Sequence, residues 1–253
     1  MREEWITSRK NPLLVQIRRL ASSRGARRSA GMFLGDGAKL LEEALKWGAP
    51  LETVVYSEGL DGPELPPEVR TVRVPEDVMA SISPMESPQG ALFLCRMWDT
   101  APPPRLEGGR YLVLDGLQDP GNVGTIWRTA DALEADGLLL VHGCADPFGP
   151  KVVRATMGAC FRLPVWETGP ERLADLLERS GLALYATALR EDTEDIKTAD
   201  LSRSAVVIGS EGRGVSPELL AMSQRALKIP MRERCESLNA AAAAAVVLWE
   251  MGR

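Results

Sequence analysis

Five apolar runs in the second half of the chain set the strongest limit on its fold. They are YLVLD (111–115), GLLLV (137–141), LALYAT (182–187), AVVIG (205–209) and ALKIP (226–230). Each is short and nearly continuous in apolar residues, without the alternation of a strand that faces water on one side. Strands buried on both faces read this way, in parallel sheets covered by helices. Helical patterns lie between most of them, at 122–136, about 150–158, 170–180 and 216–224. The expectation is an α/β domain on a parallel sheet. The last segment, SLNAAAAAAVVLWEM, is apolar on nearly every side of a helix, which predicts a helix buried all round.

The first half is organised differently. Asn11 and Pro12 open the helical pattern PLLVQIRRLASS, with Asn as cap and Pro at the first helical position. GMFLGD, TVVYS, VRTVRV and ALFLC read as short strands. AKLLEEALKWG reads as a helix ended by Gly48, and PEDVMASIS as a shorter one. The Pro-rich stretch DTAPPPRLEGG at 99–109 has the composition of a stiff linker. This divides the chain into a small α/β domain over 1–100, a linker over 101–109 and a second domain over 110–253.

Composition narrows the function. No apolar run approaches membrane-spanning length, and the N-terminus has no secretory apolar region. A soluble protein is expected. Cys95, Cys144, Cys160 and Cys235 are widely spread and form no C-x-x-C pair, which argues against a zinc site or a disulfide framework. They read as mostly buried thiols in a reducing cytoplasm. The only histidine, His142, follows GLLLV at a strand end, where a structural role is expected, and metal sites rich in histidine are excluded. The net charge of −5 argues mildly against a general nucleic-acid binder, but its distribution says more. Within residues 1–30, eight basic residues (Arg2, Arg9, Lys10, Arg18, Arg19, Arg24, Arg27, Arg28) face two acids, Glu3 and Glu4. That gives +6 and leaves −11 for the remainder. A basic arm on an acidic body suits a polyanion partner; a solvated charged helix fits this feature equally well.

Three stretches carry candidate chemistry. In QDPGNVGTIWRTADAL (118–133), Asn122 is a plausible helix cap, and Val123, Ile126, Trp127, Ala130 and Leu133 share one face. Arg128 lies roughly 140° round from Val123, where it could serve an anion as donor or be a surface arginine; periodicity alone favours the latter. The turn lacks the third glycine of a dinucleotide-binding loop. In GSEGRGVSPELL (209–220), Val215 stands where a phosphate-binding loop needs lysine. Ser216 and Pro217 open a helix there, and Glu211 sits inside the glycine turn as a ligand anchor or a turn former. In KIPMRERCESLNAAAAAAVVLWE, Ser237 or Asn239 could cap the last helix. The alanines at 240–245 suit a close chain crossing, at Ala242 or a neighbour.

Together these motifs closely resemble the SpoU/TrmH family, RNA 2′-O-ribose methyltransferases of the SPOUT class. DPGNVGTIWRTADAL, VVIGSEGRGVSPELL and LKIPMRERCESLNAAAAAAVVLWE are similar to its three motifs, and RATMGACFRLPV (154–165) to the segment between the first two. The likeness spans residues 111 to 251. GMFLGDGAKLLEEAL more loosely resembles the small L30e-like domain that binds substrate in this family, with Asp36 where Glu is more usual.

The resemblance implies a parallel-sheet α/β domain with a deep trefoil knot, an exception to the rule against knots. It implies S-adenosylmethionine as methyl donor, RNA (ribosomal RNA foremost) as substrate and a homodimer through the knotted domain, with no metal and no membrane. Cofactor contacts carry over to Thr187, Ala188, Leu189, Gly209, Ile229, Met231 and Leu238. Catalytic roles carry over to Arg128, Asn122, Glu211, Ser237 and Asn239. RNA contacts are expected at Arg9, Lys10, Arg27 and Arg28. Arginine ionises only above about pH 12, so Arg128 as a literal base is awkward, and charge stabilisation stays open beside it. The third motif departs from the family at Ala241, where a second serine is usual. Two alternatives follow: a tRNA 2′-O-methyltransferase, and a catalytically weak RNA-binding or ribosome-assembly factor of the same fold.

Overall fold

Two sheets of opposite character organise the chain in the computed structural model, which describes residues 4–189, 192–232, 234 and 237–253. Arg2, Glu3 and Cys235 lie outside the described residues. One compact unit comprises residues 1–98 with 146–161, the other 99–145 with 162–253.

The first unit holds a five-stranded mixed sheet, in chain order β1 (Glu4–Trp5), β2 (Met32–Asp36), β3 (Leu51–Ser57), β4 (Arg70–Val74) and β5 (Ala91–Arg96). Their spatial order is β1-β4-β3-β5-β2. β4 runs parallel to β1 and β3, while β5 runs antiparallel to β2 and β3. Its helices are α1 (Pro12–Ser22), α2 (Arg24–Ala30), α3 (Ala38–Lys46) and α4 (Glu76–Ile82). Asn11 caps α1 by accepting the Leu13 N–H at 2.9 Å, with Pro12 at the first position. Leu13, Leu14, Ile17 and Leu20 turn one face of α1 into the core. The helix expected over 12–23 ends at Ser22, and a second short helix that the pattern did not show, α2, follows with the Ser23 hydroxyl as its cap.

The segment 146–161 was expected within the second domain, but it packs in the first unit. Apolar contact accounts for this. Phe148 is fully buried, with its ring centroid 5.3 Å from Phe33 and 4.8 Å from Trp98. Asp146 reaches the Arg27 guanidinium at 2.6 Å. The stretch expected as a free linker is likewise docked, in the second unit. Leu106 lies in that unit's core and donates its N–H to Ser180 Oγ at 2.9 Å.

The second unit contains β6 (Arg110–Asp115), α5 (Pro120–Ala132), β7 (Gly137–Val141), then, after the first-unit helix α6 (Pro150–Ala155), β8 (Val165–Glu167), α7 (Pro170–Ser180), β9 (Ala183–Thr187), β10 (Glu194–Asp195), β11 (Ser204–Gly209), α8 (Pro217–Met222), β12 (Arg225–Lys228) and α9 (Ala240–Met251). All seven strands are parallel, in the order β10-β12-β9-β11-β6-β7-β8. The five apolar runs are β6, β7, β9, β11 and β12. The short β8 and β10 carry too few residues to show a period. Parallel strands bring all their carboxyl ends to one edge, and ligands bind there where strand order reverses. Asp115, Thr187, Gly209 and Lys228 end the four neighbouring strands β6, β9, β11 and β12.

The last helix corrects the expectation of burial all round. Ala240, Ala241, Ala244, Val247, Leu248 and Met251 are buried, yet Ala242 is exposed and Trp249 is 62% exposed. Ala242 therefore does not lie at a tight crossing within this chain; Ala244, fully buried on the face toward α5 and β11, is the more crowded position.

Candidate active site

Loops after β9, β11 and β12, together with the approach to α9, enclose a cavity of about 290 Å3. Thr187, Ala188 and Leu189 enter from the end of β9, Gly209 from β11, Ile229 and Met231 from the loop after β12, and Leu238 from just before α9. All seven residues expected to hold a cofactor thus line one space. Leu189 and Leu238, 58% and 40% exposed, leave an apolar mouth of the kind that marks ligand sites. Thr187 contributes little polarity, because its hydroxyl donates to the Val207 carbonyl at 2.8 Å. Sequence reasoning missed Ile208, Ser210, Gly212, Gly214, Leu227, Ala240 and Ala243 as lining residues. All seven lie in or beside the stretches it singled out, but periodicity does not show which of their residues face a cavity.

Glycine at position 209 is dictated by close approach. A Cβ there would stand 2.1 Å from the Gly214 carbonyl carbon and 2.2 Å from the Val215 nitrogen. The loop closes on itself through paired backbone bonds between Ser210 and Gly214, 3.1 and 2.9 Å. Gly214 takes the left-handed turn at φ +67°. This closure carries Glu211 into the cavity wall.

Three polar side chains from the three motifs then join at the cavity. Asn239, not Ser237, caps α9, accepting the N–H groups of Ala241 at 2.9 Å and Ala242 at 3.3 Å through Oδ1. That fixes the amide, so Nδ2 points away and donates to Asn122 Oδ1 at 3.1 Å. Asn122 in turn donates from Nδ2 to Glu211 Oε1. Asn122 is free for this because Asp119 is the cap of α5 instead, taking the Asn122 N–H at 2.7 Å, with Pro120 as first helical residue. The expected cap at Asn122 is thereby corrected. An Asp before a Pro is the better cap, and the helix starts two residues earlier. Ser237 is exposed and lines the cavity. Arg128 is exposed on α5, with no hydrogen-bond or ion-pair partner among the described residues. It is not in contact with this chain of amides.

The basic arm needs a sharper correction. Arg27 is 5% exposed. Its guanidinium is engaged by Asp146 and by the Leu20 carbonyl at 2.5 Å, so its donors face inward and not toward a phosphate. Arg9 is exposed but pairs with Asp77 at 2.6 Å. Lys10 is exposed, and so is Arg28, which sits 5.5 Å over the Phe148 ring. Among the described residues, no group of three or more His, Cys, Asp or Glu could hold a metal ion, and no helix is long and apolar enough to cross a membrane.

The model of the SpoU rRNA Methylase family matches residues 109–249. The chain belongs to that family. A model of an MRM3-like substrate binding domain matches residues 11–92. Relatives extend the likeness over the whole length. A Synechocystis protein named as an uncharacterized tRNA/rRNA methyltransferase is 37% identical, covering 98% of this chain and 93% of that protein. The 23S rRNA (guanosine(2553)-2′-O)-methyltransferase RlmP of Bacillus subtilis is 33% identical, covering 97% and 98%. The crystal structure of an AdoMet-bound rRNA methyltransferase from Sinorhizobium meliloti superposes with a TM-score of 0.86 at 30% identity, covering 98% and 97%. The cavity and amide chain bring together residues of the stretches 118–133, 209–220 and 227–243.

Proposed function

We propose that this SpoU-family protein transfers the methyl group of S-adenosylmethionine to a ribose 2′-hydroxyl of ribosomal RNA. The observation that carries this reading is the hydrogen-bonded chain Asn239–Asn122–Glu211 beside an apolar cavity. The residues fit the cofactor. Ile229, Met231 and Leu238 offer apolar surface for an adenine ring, exposed backbone can satisfy its edge, and Glu211 suits a cationic sulfonium. When bound, S-adenosylmethionine supplies the electrophilic methyl group. The protein must then orient the hydroxyl and stabilise the oxygen as its proton leaves. Orientation alone can supply about 7–11 kcal/mol in ideal cases. In this reading Glu211, fixed by Asn122, accepts the hydroxyl proton, and Arg128 grips the neighbouring phosphate with its planar fork. Ser237 contacts substrate at the mouth.

Ribosomal RNA is favoured over tRNA by RlmP's name, and the first unit is read as the RNA-gripping domain through Lys10 and Arg28. Loss of a serine at Ala241 removes little in this reading. Ala241 is buried, and its N–H is spent on Asn239. We also read the second unit as a deep trefoil knot, on the strength of the family match. A homodimer is supported by the apolar stripe Ala242, Val246 and Trp249 on α9, exposed at its two ends. The buried thiols of Cys95, Cys144 and Cys160 favour a reducing compartment such as the cytoplasm. The test is transfer of labelled methyl groups to ribosomal RNA, with the product digested to nucleosides. Label in 2′-O-methylnucleosides is expected; label on a base, or none with any ribosomal RNA, would end this reading. Sedimentation of wild type against Trp249→Glu tests the dimer.

A further inference from the structure

We propose that His142, the only histidine of the chain, is a positioning residue. It holds Asp115 against the Ser216 amide and so fixes the loop 209–216 that carries Glu211.

The argument starts at the strand ends. Gly209 pairs with Asp115 in the β11–β6 ladder, so the loop leaves the sheet beside that carboxylate. Seven residues later it returns, and Asp115 Oδ2 accepts the Ser216 N–H at 2.6 Å. Ser216 is the cap of α8, so this bond ties the end of the loop and the start of the helix to β6. The Ser210–Gly214 bridge closes the loop at its other waist. Asp115 is 4% exposed, and a buried carboxylate is costly unless its oxygens are occupied. Its second oxygen is occupied by His142 Nδ1 at 2.6 Å. The other ring nitrogen reaches Glu218 Oε2, on α8, at 3.2 Å. One imidazole thus bridges α8, where the loop ends, to β6, the neighbour of the strand β11 from which it leaves.

The backbone supports a dedicated role. His142 adopts φ +53°, a region non-glycine side chains enter at a cost and keep where surrounding contacts hold them. The titratable groups facing this point are Asp115 from β6, Glu218 from α8 and the Cys144 thiol from the loop after β7, which lies near Asp115. The imidazole pKa is raised above its ordinary value, first by the Asp115 hydrogen bond, with Glu218 adding to it against partial desolvation. The protonated ring donates to both carboxylates. As pH rises through the raised value, the ring keeps one donor, the Glu218 contact is lost and the loop loosens.

The consequence for the cofactor rests on reading the cavity as its site, and the experiment separates the two. Asparagine tolerates positive φ and can donate to Asp115, but it does not titrate. Glycine tolerates positive φ and donates nothing. With the full-length protein at pH 6, hydrogen exchange of peptides covering 210–216 should be about tenfold faster in His142→Gly and intermediate in His142→Asn, which keeps the Asp115 bond but not the Glu218 one. S-adenosylhomocysteine, used as probe in calorimetry, should bind several-fold more weakly to His142→Gly. Its affinity should fall several-fold more from pH 6 to 8.5 in wild type than in His142→Asn. Equal exchange in wild type and His142→Gly would overturn the proposal, as would an identical pH profile in wild type and His142→Asn. Altered exchange together with undiminished binding to a cavity-filling Ile229→Trp variant would sustain the role of His142 and reject the cavity reading alone.

Discussion

The two sheets solve different problems, and their buried charges show it. In the mixed sheet of the first unit, strand ends point both ways, so loops scatter and polar side chains brace the fold. The Arg27–Asp146 pair, with side chains 6% and 10% exposed, ties α2 to the segment 146–161. In the parallel sheet of the second unit, carboxyl ends share one edge. There the buried Asp115 braces a loop that lines a cavity. A charged residue in the first unit therefore serves stability unless it lies on the surface, whereas polar residues at the parallel edge bear on ligands.

Breaking each side should separate the two. Arg27→Ala leaves Asp146 buried without its partner and should cost about 3–5 kcal/mol of stability, read by denaturant unfolding. The protein still folded should bind cofactor normally, and a variant as stable as wild type would erase the contrast. Arg128→Ala should lower kcat by about 10²–10³, the scale of losing one charge-stabilising donor. Cofactor affinity and melting temperature should not move, and an unchanged kcat would remove Arg128 from the chemistry. Asn239→Ala gives up a helix cap, about 1 kcal/mol, and also the orientation of Asn122. Its kcat should fall about tenfold in protein that remains folded, whereas Asn239→Ser, which keeps a cap but no amide donor, should recover stability alone. The smallest effect belongs to the surface of the first unit. Lys10→Ala and Arg28→Ala should each flatten the salt dependence of RNA affinity by roughly 0.7–0.9 in log–log slope, while Arg27→Lys should leave that slope unchanged.

The parallel sheet was legible because doubly buried strands have no polar positions to blur them. The cavity was legible through the family likeness of the stretches that follow those strands. Its residues were named from that likeness, and their place at or just after the ends of β9, β11 and β12 explains why Thr187, Gly209 and Ile229 meet. Arg27 was not legible as a strut: its neighbours Arg24 and Arg28 are exposed, and only Asp146, 119 residues away, distinguishes it. The packing of 146–161 was hidden likewise, since Phe148 finds Phe33 and Trp98 across long stretches of sequence. The cap at Asp119 was misread because Asn122, three residues on, is an equally good capping residue type. In α9 the sequence showed an apolar circumference but not which arc the fold leaves open.

The cap of α9 has one more consequence, for what can approach Glu211. Backbone N–H groups occupy the Asn239 oxygen, so its nitrogen must donate. The Asn122 oxygen must then accept, and its nitrogen must donate onward. Neither amide can be turned over without unwinding the first turn of the helix. The direction of every bond along this relay is therefore written at a helix end, well before any substrate arrives. Glu211 stands last in the line as a pure acceptor, so a newcomer that brings a proton is welcome there and one that offers only lone pairs is turned away.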